Sequence, residues 1–194
     1  SGARYVEQSS INRWLVRHAL LGRRVVRLKG GDPLVFARGA EEALHCRKHG
    51  VAFEVIPGVS AATAVPAYAG IPLTHRGLAS AAVLVTGHED PLKPSSAVDW
   101  DRLAGLDATL VCFMAVKKLE ALSARLIRAG KDPKTPVCVI EWGCWPRQRV
   151  LQAPLDRIAH DTRKARVEPP ALVLIGRVAA LRASLSWFEK KVFW

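Results

Sequence analysis

Residues 24–33 read Arg-Val-Val-Arg-Leu-Lys-Gly-Gly-Asp-Pro. A β-branched run of strand character stops abruptly at paired glycines and a proline-fixed exit. In an α/β sheet ligands bind beyond the carboxyl ends of strands, so Gly30, Gly31 and Asp32 stand where a backbone could approach a bound group. Asp32 would then accept hydrogen bonds from hydroxyl or ammonium groups. A tight turn closed by an Asx-type bond reads the same residues. The motif is neither a GxGxxG nor a phosphate loop.

Working outward, helical and strand periods alternate. Ser9–Leu21 has helical spacing of Ile11, Trp14, Leu15 and Val16, with Ser9 or Ser10 as N-cap and Gly22 as terminator. A second helix is expected over Arg38–His49, closing at Gly50, and a strand over Ala52–Ile56. Pro57-Gly58-Val59-Ser60-Ala61-Ala62 then repeats the strand–turn–helix joint, with Ser60 opening an alanine-rich helix to Tyr68. Two such joints in adjacent units point to one shared pocket, although each alone is an ordinary connection.

Gly and Pro bracket residues 70–77 (GIPLTHRG), which predicts a domain boundary there, 1–74 preceding 75–194. Beyond it, strands are expected at Ala81–Thr86, Thr109–Met114, Val137–Trp142, Arg149–Gln152 and Ala171–Ile175. Helices are expected near Trp100–Ala104, Val116–Ala129 and Leu155–Lys164. This alternation predicts an α/β fold with a substantially parallel sheet and one hairpin, Val137–Trp142 with Arg149–Gln152. Phe113-Met114-Ala115 and Glu141-Trp142-Gly143 end strands, where they could enclose a flat ring or simply belong to the core. His75, Arg76 and His88 could bind carboxylates or move protons, or be solvated loop residues.

Composition sets the limits. With 49% hydrophobic and 24% charged residues, 194 residues can bury a core, and the apolar runs are too short for a membrane span. Lys and Arg number 29 against 17 Asp and Glu, a net charge of +12 that calls for an anionic partner. The basic residues are scattered, with no aromatic-basic alternation, so no nucleic-acid module is read. Cys46, Cys112, Cys138 and Cys144 form no CxxC pair, which predicts reduced thiols in a cytoplasmic protein and no metal site. The start SGARYVEQ carries no Met and no charged-then-apolar leader, which predicts no signal peptide and a natural N-terminus upstream of Ser1.

Taken together, residues 25–33 (VVRLKGGDP), 55–61 (VIPGVSA), 70–77 (GIPLTHRG) and 85–88 (VTGH) stand in the order and spacing of the tetrapyrrole (corrin/porphyrin) methylases, and the chain resembles that family over nearly its whole length. The resemblance implies a two-domain tetrapyrrole methylase fold, a homodimer, with S-adenosylmethionine in a cleft between domains. Its cofactor contacts would be Gly30, Gly31, Asp32, Val35, Ser60, Ala61, Met114 and Gly143, with S-adenosylhomocysteine as product. PLTHRG followed by TGH is closest to members that methylate uroporphyrinogen III at C2 and C7, giving precorrin-2 for siroheme or cobalamin. His75, Arg76 and His88 would meet this anionic tetrapyrrole, whose eight carboxylates suit the basic chain.

Family members start with a strand, a GxGPGD-type loop, and an Asp and a Lys proposed as acid/base groups, all upstream of Ser1. The expectation is an incomplete N-terminal domain that binds cofactor weakly and turns over little. A non-catalytic remnant, or a tetrapyrrole- or cofactor-binding module of the same fold, is the alternative. Further departures are Ala37 and Ala40 where FGRGGEE is usual, Ala115 in place of a frequent Gly, and Cys144 in place of Thr.

Overall fold

The computed structural model describes residues 6–88 and 97–188. The chain divides into two compact units, Ser1–Ser60 and Ala61–Trp194, so the Gly70–Gly77 stretch lies within the second.

The first unit holds two helices, α1 (Gln8–Leu20) and α2 (Gly39–Lys48). Glycine ends both: Gly22 and Gly50 follow them at φ +74° and +70°, angles that L side chains rarely adopt. The serines expected to cap α1 lie inside its first turn; Glu7 is the N-cap and makes no side-chain capping bond. Neither Arg24–Lys29 nor Ala52–Ile56 forms a strand. Their β-branched residues favour an extended backbone, but a strand also needs a ladder, and no partner strand pairs with them among the described residues. Val26, Leu28 and Ile56 are accordingly 80%, 84% and 73% exposed.

Polar bonds hold this unit together. The buried Glu42 carboxylate on α2 accepts from Gln8 on α1 at 2.9 Å, from Arg27 at 3.1 Å and from Lys29 at 3.0 Å. Lys29 also donates to the Ala37 carbonyl at 2.5 Å.

The second unit is a five-stranded sheet covered on both faces. Its elements are α3 (Ala61–Tyr68), β1 (Ala82–Thr86), α4 (Trp100–Ala104), β2 (Thr109–Phe113), α5 (Leu119–Arg128), β3 (Pro136–Glu141), β4 (Arg149–Pro154), α6 (Ile158–Lys164), β5 (Ala171–Ile175) and α7 (Arg182–Leu185). Short 3-10 turns, Val116–Lys118 and Arg177–Leu181, precede α5 and α7.

The strand order is β1-β2-β5-β3-β4, and β1 with β2 is its parallel pair. β5 runs antiparallel to both β2 and β3, and β3 forms the expected hairpin with β4. The sheet is therefore mixed rather than substantially parallel. β5 enters the middle of the sheet against its neighbours' direction, and strand–helix alternation does not specify that choice.

Period-two alternation builds two cores. On one face Leu110, Cys112, Val137, Val139, Val173 and Ile175 pack with Trp100, Leu122, Leu126 and Ile158. On the other, Val111, Cys138, Ile140, Leu172 and Leu174 pack with Ala62, Val65, Ile71 and Val178. All four cysteines are free; Cys46, Cys112 and Cys138 are buried and Cys144 is half-buried. Burial pushes the thiols of Cys112 and Cys138 up to about 12.

Candidate functional site

Direction decides what the sheet edge presents. Since β1 and β2 are parallel and β5 opposes both β2 and β3, the carboxyl ends of β1, β2 and β3 share one edge. Thr86-Gly87-His88, Met114 and Trp142-Gly143 all leave the sheet there. Met114 and Gly143 follow strands separated only by β5, a lateral offset of about 10 Å.

The backbone at this edge is strained in a consistent way. Met114, Trp142 and Cys144 take φ of 56°, 50° and 66°, the left-handed region that costs a bulky residue about 1–3 kcal/mol. Neighbouring bonds impose the conformation: Gly87 N–H donates to the Phe113 carbonyl at 2.7 Å, and Trp142 N–H to the Pro170 carbonyl at 3.0 Å. Met114 is 51% exposed, so this methionine is not a core residue. A Cβ on Gly87 would stand 2.6 Å from the Ala115 methyl, so the methyl added at Ala115 fills space that Gly87 leaves. A Cβ on Gly143 would stand 2.5 Å from Val65 on α3, one turn beyond Ala61.

His75 opens a tight turn, its N–H donating to the Ala79 carbonyl at 2.9 Å, while its Nδ1 lies 2.7 Å from the Arg76 carbonyl. The N–H of His88 donates to Thr86 Oγ1 at 3.3 Å. His75, Arg76 and His88 are exposed, and no hydrogen bond joins the two imidazoles among the described residues. A groove of about 390 Å³ on this unit is lined by Thr63, Ala67, Gly70, Ile71, Pro72, Leu73, Leu185 and Trp187, and none of the expected contact residues lies in it.

In the first unit the two glycine-bearing joints meet. Asp32 Oδ1 accepts the Leu34 N–H at 2.8 Å, and Oδ2 accepts the Gly58 N–H at 3.2 Å. The first bond is the Asx-type turn, and the second ties the two loops together. Gly58 lies so close to the Gly31 carbonyl that a side chain would overlap it. Each carboxylate oxygen keeps a second lone pair for a ligand hydroxyl or ammonium. Gly30 and Gly31 are exposed, Val35 and Ser60 half-buried. Among the methyls that distinguish this chain, Ala40 is exposed and Ala37 half-buried, whereas the retained Gly39 has no room for a Cβ against the Pro33 carbonyl.

The sequence reading did not single out the ring cluster on the β3–β4 connection. The Arg147 guanidinium lies 3.3 Å from the Trp142 ring centroid and 5.5 Å from that of Trp145, with the two indoles edge to face at 5.9 Å. Beside it, buried Glu141 accepts from Arg149 at 2.6 Å and from the Glu168 N–H at 2.8 Å. The Arg149 hydrogen bond holds the Glu141 carboxyl below its ordinary value despite burial. The WxxWxR spacing between two strand signals was the available clue. Among the described residues no group of His, Cys, Asp or Glu could hold a metal ion, and no helix is long and apolar enough to cross a membrane.

Comparison with known proteins follows the same outline. The family model for Tetrapyrrole (Corrin/Porphyrin) Methylases matches residues 2–159. A uroporphyrinogen-III C-methyltransferase of Bacillus subtilis (strain 168) is 43% identical over 187 residues, covering 96% of this chain and 38% of that protein. An S-adenosyl-L-methionine-dependent uroporphyrinogen III methyltransferase of Methanosarcina barkeri (strain Fusaro / DSM 804) is 46% identical over 181 residues, covering 93% of this chain and 71% of its own length. The crystal structure of uroporphyrin-III C-methyl transferase from Thermus thermophilus complexed with S-adenyl homocysteine superposes with a TM-score of 0.76. It is 41% identical over 90% of this chain and 75% of that one. The chain thus spans well under half the length of its Bacillus relative.

Proposed function

The chain belongs to the tetrapyrrole (corrin/porphyrin) methylases, and from that premise we propose that it serves S-adenosylmethionine-dependent C-methylation of uroporphyrinogen III at C2 and C7, giving precorrin-2. The observation that carries this reading is its 46% identity, over 93% of its length, to a relative named for that cofactor and substrate. The site residues fit such a cofactor. The Asp32 bridge gives the two loops of the first unit a fixed, glycine-lined face with carboxylate lone pairs to spare. Half-exposed Met114 supplies an apolar side chain in the second.

When bound, S-adenosylmethionine supplies an electrophilic methyl group on its sulfonium. The chain's part is to bind, orient and exclude water, because in-line transfer depends chiefly on placement. We assign cofactor contacts to Gly30, Gly31, Asp32, Val35 and Ser60 in the first unit, and to Ala61, Met114 and Gly143 in the second. His75, Arg76 and His88 are assigned to substrate carboxylates, with the net charge of +12 drawing an octa-anion to the protein. The assembly is a homodimer in the cytoplasm.

Calorimetric titration with S-adenosylhomocysteine tests the assignment. The expected result is weak but measurable binding, with a Kd above about 10 μM that rises at least tenfold in Asp32→Ala. A folded chain that does not bind, or an Asp32→Ala variant that binds as tightly, overturns it.

A further inference from the structure

The β3–β4 connection carries an exposed arginine stacked on an indole. The Gln148 side chain fastens the loop, accepting the Cys144 N–H at 2.9 Å and donating to the Tyr68 carbonyl at 3.3 Å. Trp145 N–H reaches the Trp142 carbonyl at 3.1 Å, and Gln148 N–H the Trp145 carbonyl at 2.8 Å. From this fixed backbone Arg147 lays its guanidinium over the Trp142 ring at 3.3 Å. Stacking occupies the face of the guanidinium and leaves its N–H donors, which lie in its plane, pointing outward.

Among the described residues those donors meet no acceptor within hydrogen-bond distance. Arg147 is exposed and makes no hydrogen bond among the described residues. The neighbouring carboxylate, Glu141, takes its hydrogen bonds from Arg149 and from the Glu168 N–H, and Arg147 acts on it only through space, helping to hold that carboxyl below its ordinary value. An arginine held flat with its fork open is prepared to take a carboxylate in two parallel bonds, with little rotamer freedom left to lose. The connection leaves the same sheet edge as Met114 and His88.

We propose that Arg147 is a carboxylate-recognition residue, taking an acetate or propionate arm of the tetrapyrrole on its stacked fork. This rests on the substrate reading above. Trp142 acts through Arg147, as the surface that orients it.

The test uses uroporphyrin III, an octacarboxylate porphyrin, titrated by its own absorbance into the wild-type chain, Arg147→Gln and Arg147→Lys, with S-adenosylhomocysteine titrated in parallel. Arg147→Gln should weaken uroporphyrin binding about tenfold or more, the scale of one charge-assisted pair. Arg147→Lys, which keeps the charge and loses the planar fork, should fall between. Coproporphyrin III, with half the carboxylates, should lose less on the same substitution, and S-adenosylhomocysteine affinity should change less than about twofold. Equal uroporphyrin affinity in wild type and Arg147→Gln overturns the proposal, as does a loss confined to S-adenosylhomocysteine. A wild-type chain that binds S-adenosylhomocysteine but no uroporphyrin overturns the substrate reading itself.

Discussion

The two units have the same texture in sequence, short β-branched runs between amphipathic helices, yet order arises differently in each. In the second, five strands share a ladder and the side chains of Leu110, Leu126, Ile140 and Leu174 are 0% exposed. In the first, extended segments run without a ladder among the described residues, and a few polar groups, chiefly Glu42 and Asp32, fix where the chain goes. Apolar burial spreads stabilisation over many contacts, while a polar hub concentrates it in one side chain.

The most forceful way to break this contrast is Leu126→Ala. Removing a fully buried side chain at the heart of one core should cost about 3 kcal/mol, read as a lower urea midpoint for the second unit. A cost below about 1 kcal/mol would mean that the sheet core is not what holds that unit. Gly87→Ala sharpens the same point at the candidate site. Its new methyl meets both the methyl and the Cα of Ala115, so about 2 kcal/mol should be lost, and the double variant Gly87→Ala/Ala115→Gly should recover only part of it because the backbone contact at 2.7 Å stays.

Glu42→Gln probes the other unit. It should cost about 2 kcal/mol, seen as faster hydrogen exchange in α1 and α2, because Lys29 and Arg27 lose their counter-charge. Burial alone would raise the Glu42 carboxyl, but the bonds from Gln8, Lys29 and Arg27 outweigh it and hold it below the ordinary value of 4.5. Folding therefore favours the ionised form. That contribution is complete above the unfolded value and is lost as pH falls through the folded one. Acid exchange of α1 and α2 should steepen below about pH 4.5 in the wild type and flatten in Glu42→Gln. Smallest of all, Lys134→Ala removes an exposed bond to Asp156 and should change the midpoint by less than about 0.5 kcal/mol.

Most of the helices, and every strand of the second unit, were legible: the helices repeat every 3.6 residues, and β2, β3 and β5 are apolar runs buried on both faces. Strand direction was not, since β5 has the same pattern whichever way it runs. The extended runs 24–29 and 52–56 misled for a related reason: propensity selects a backbone angle, and pairing is decided by what lies alongside. At the candidate site the glycines were readable from spacing alone. Asp32 makes the Asx turn that the spacing allowed, and its reading as a ligand acceptor belongs to the proposed function. Arg147 went unread because its stack on Trp142 belongs to an aperiodic loop, where neighbours are set by hydrogen bonds from Gln148 and not by a repeat.

The buried thiols turn the contrast between units into a clock. Cys46 belongs to the unit held by polar bonds and Cys112 and Cys138 to the sheet, so each waits on a different opening event before an alkylating reagent can reach it. Pulsed alkylation read by mass spectrometry would time the two openings in one unlabelled sample. Half-buried Cys144 reacts without waiting, and among the three buried thiols Cys46 should be captured first.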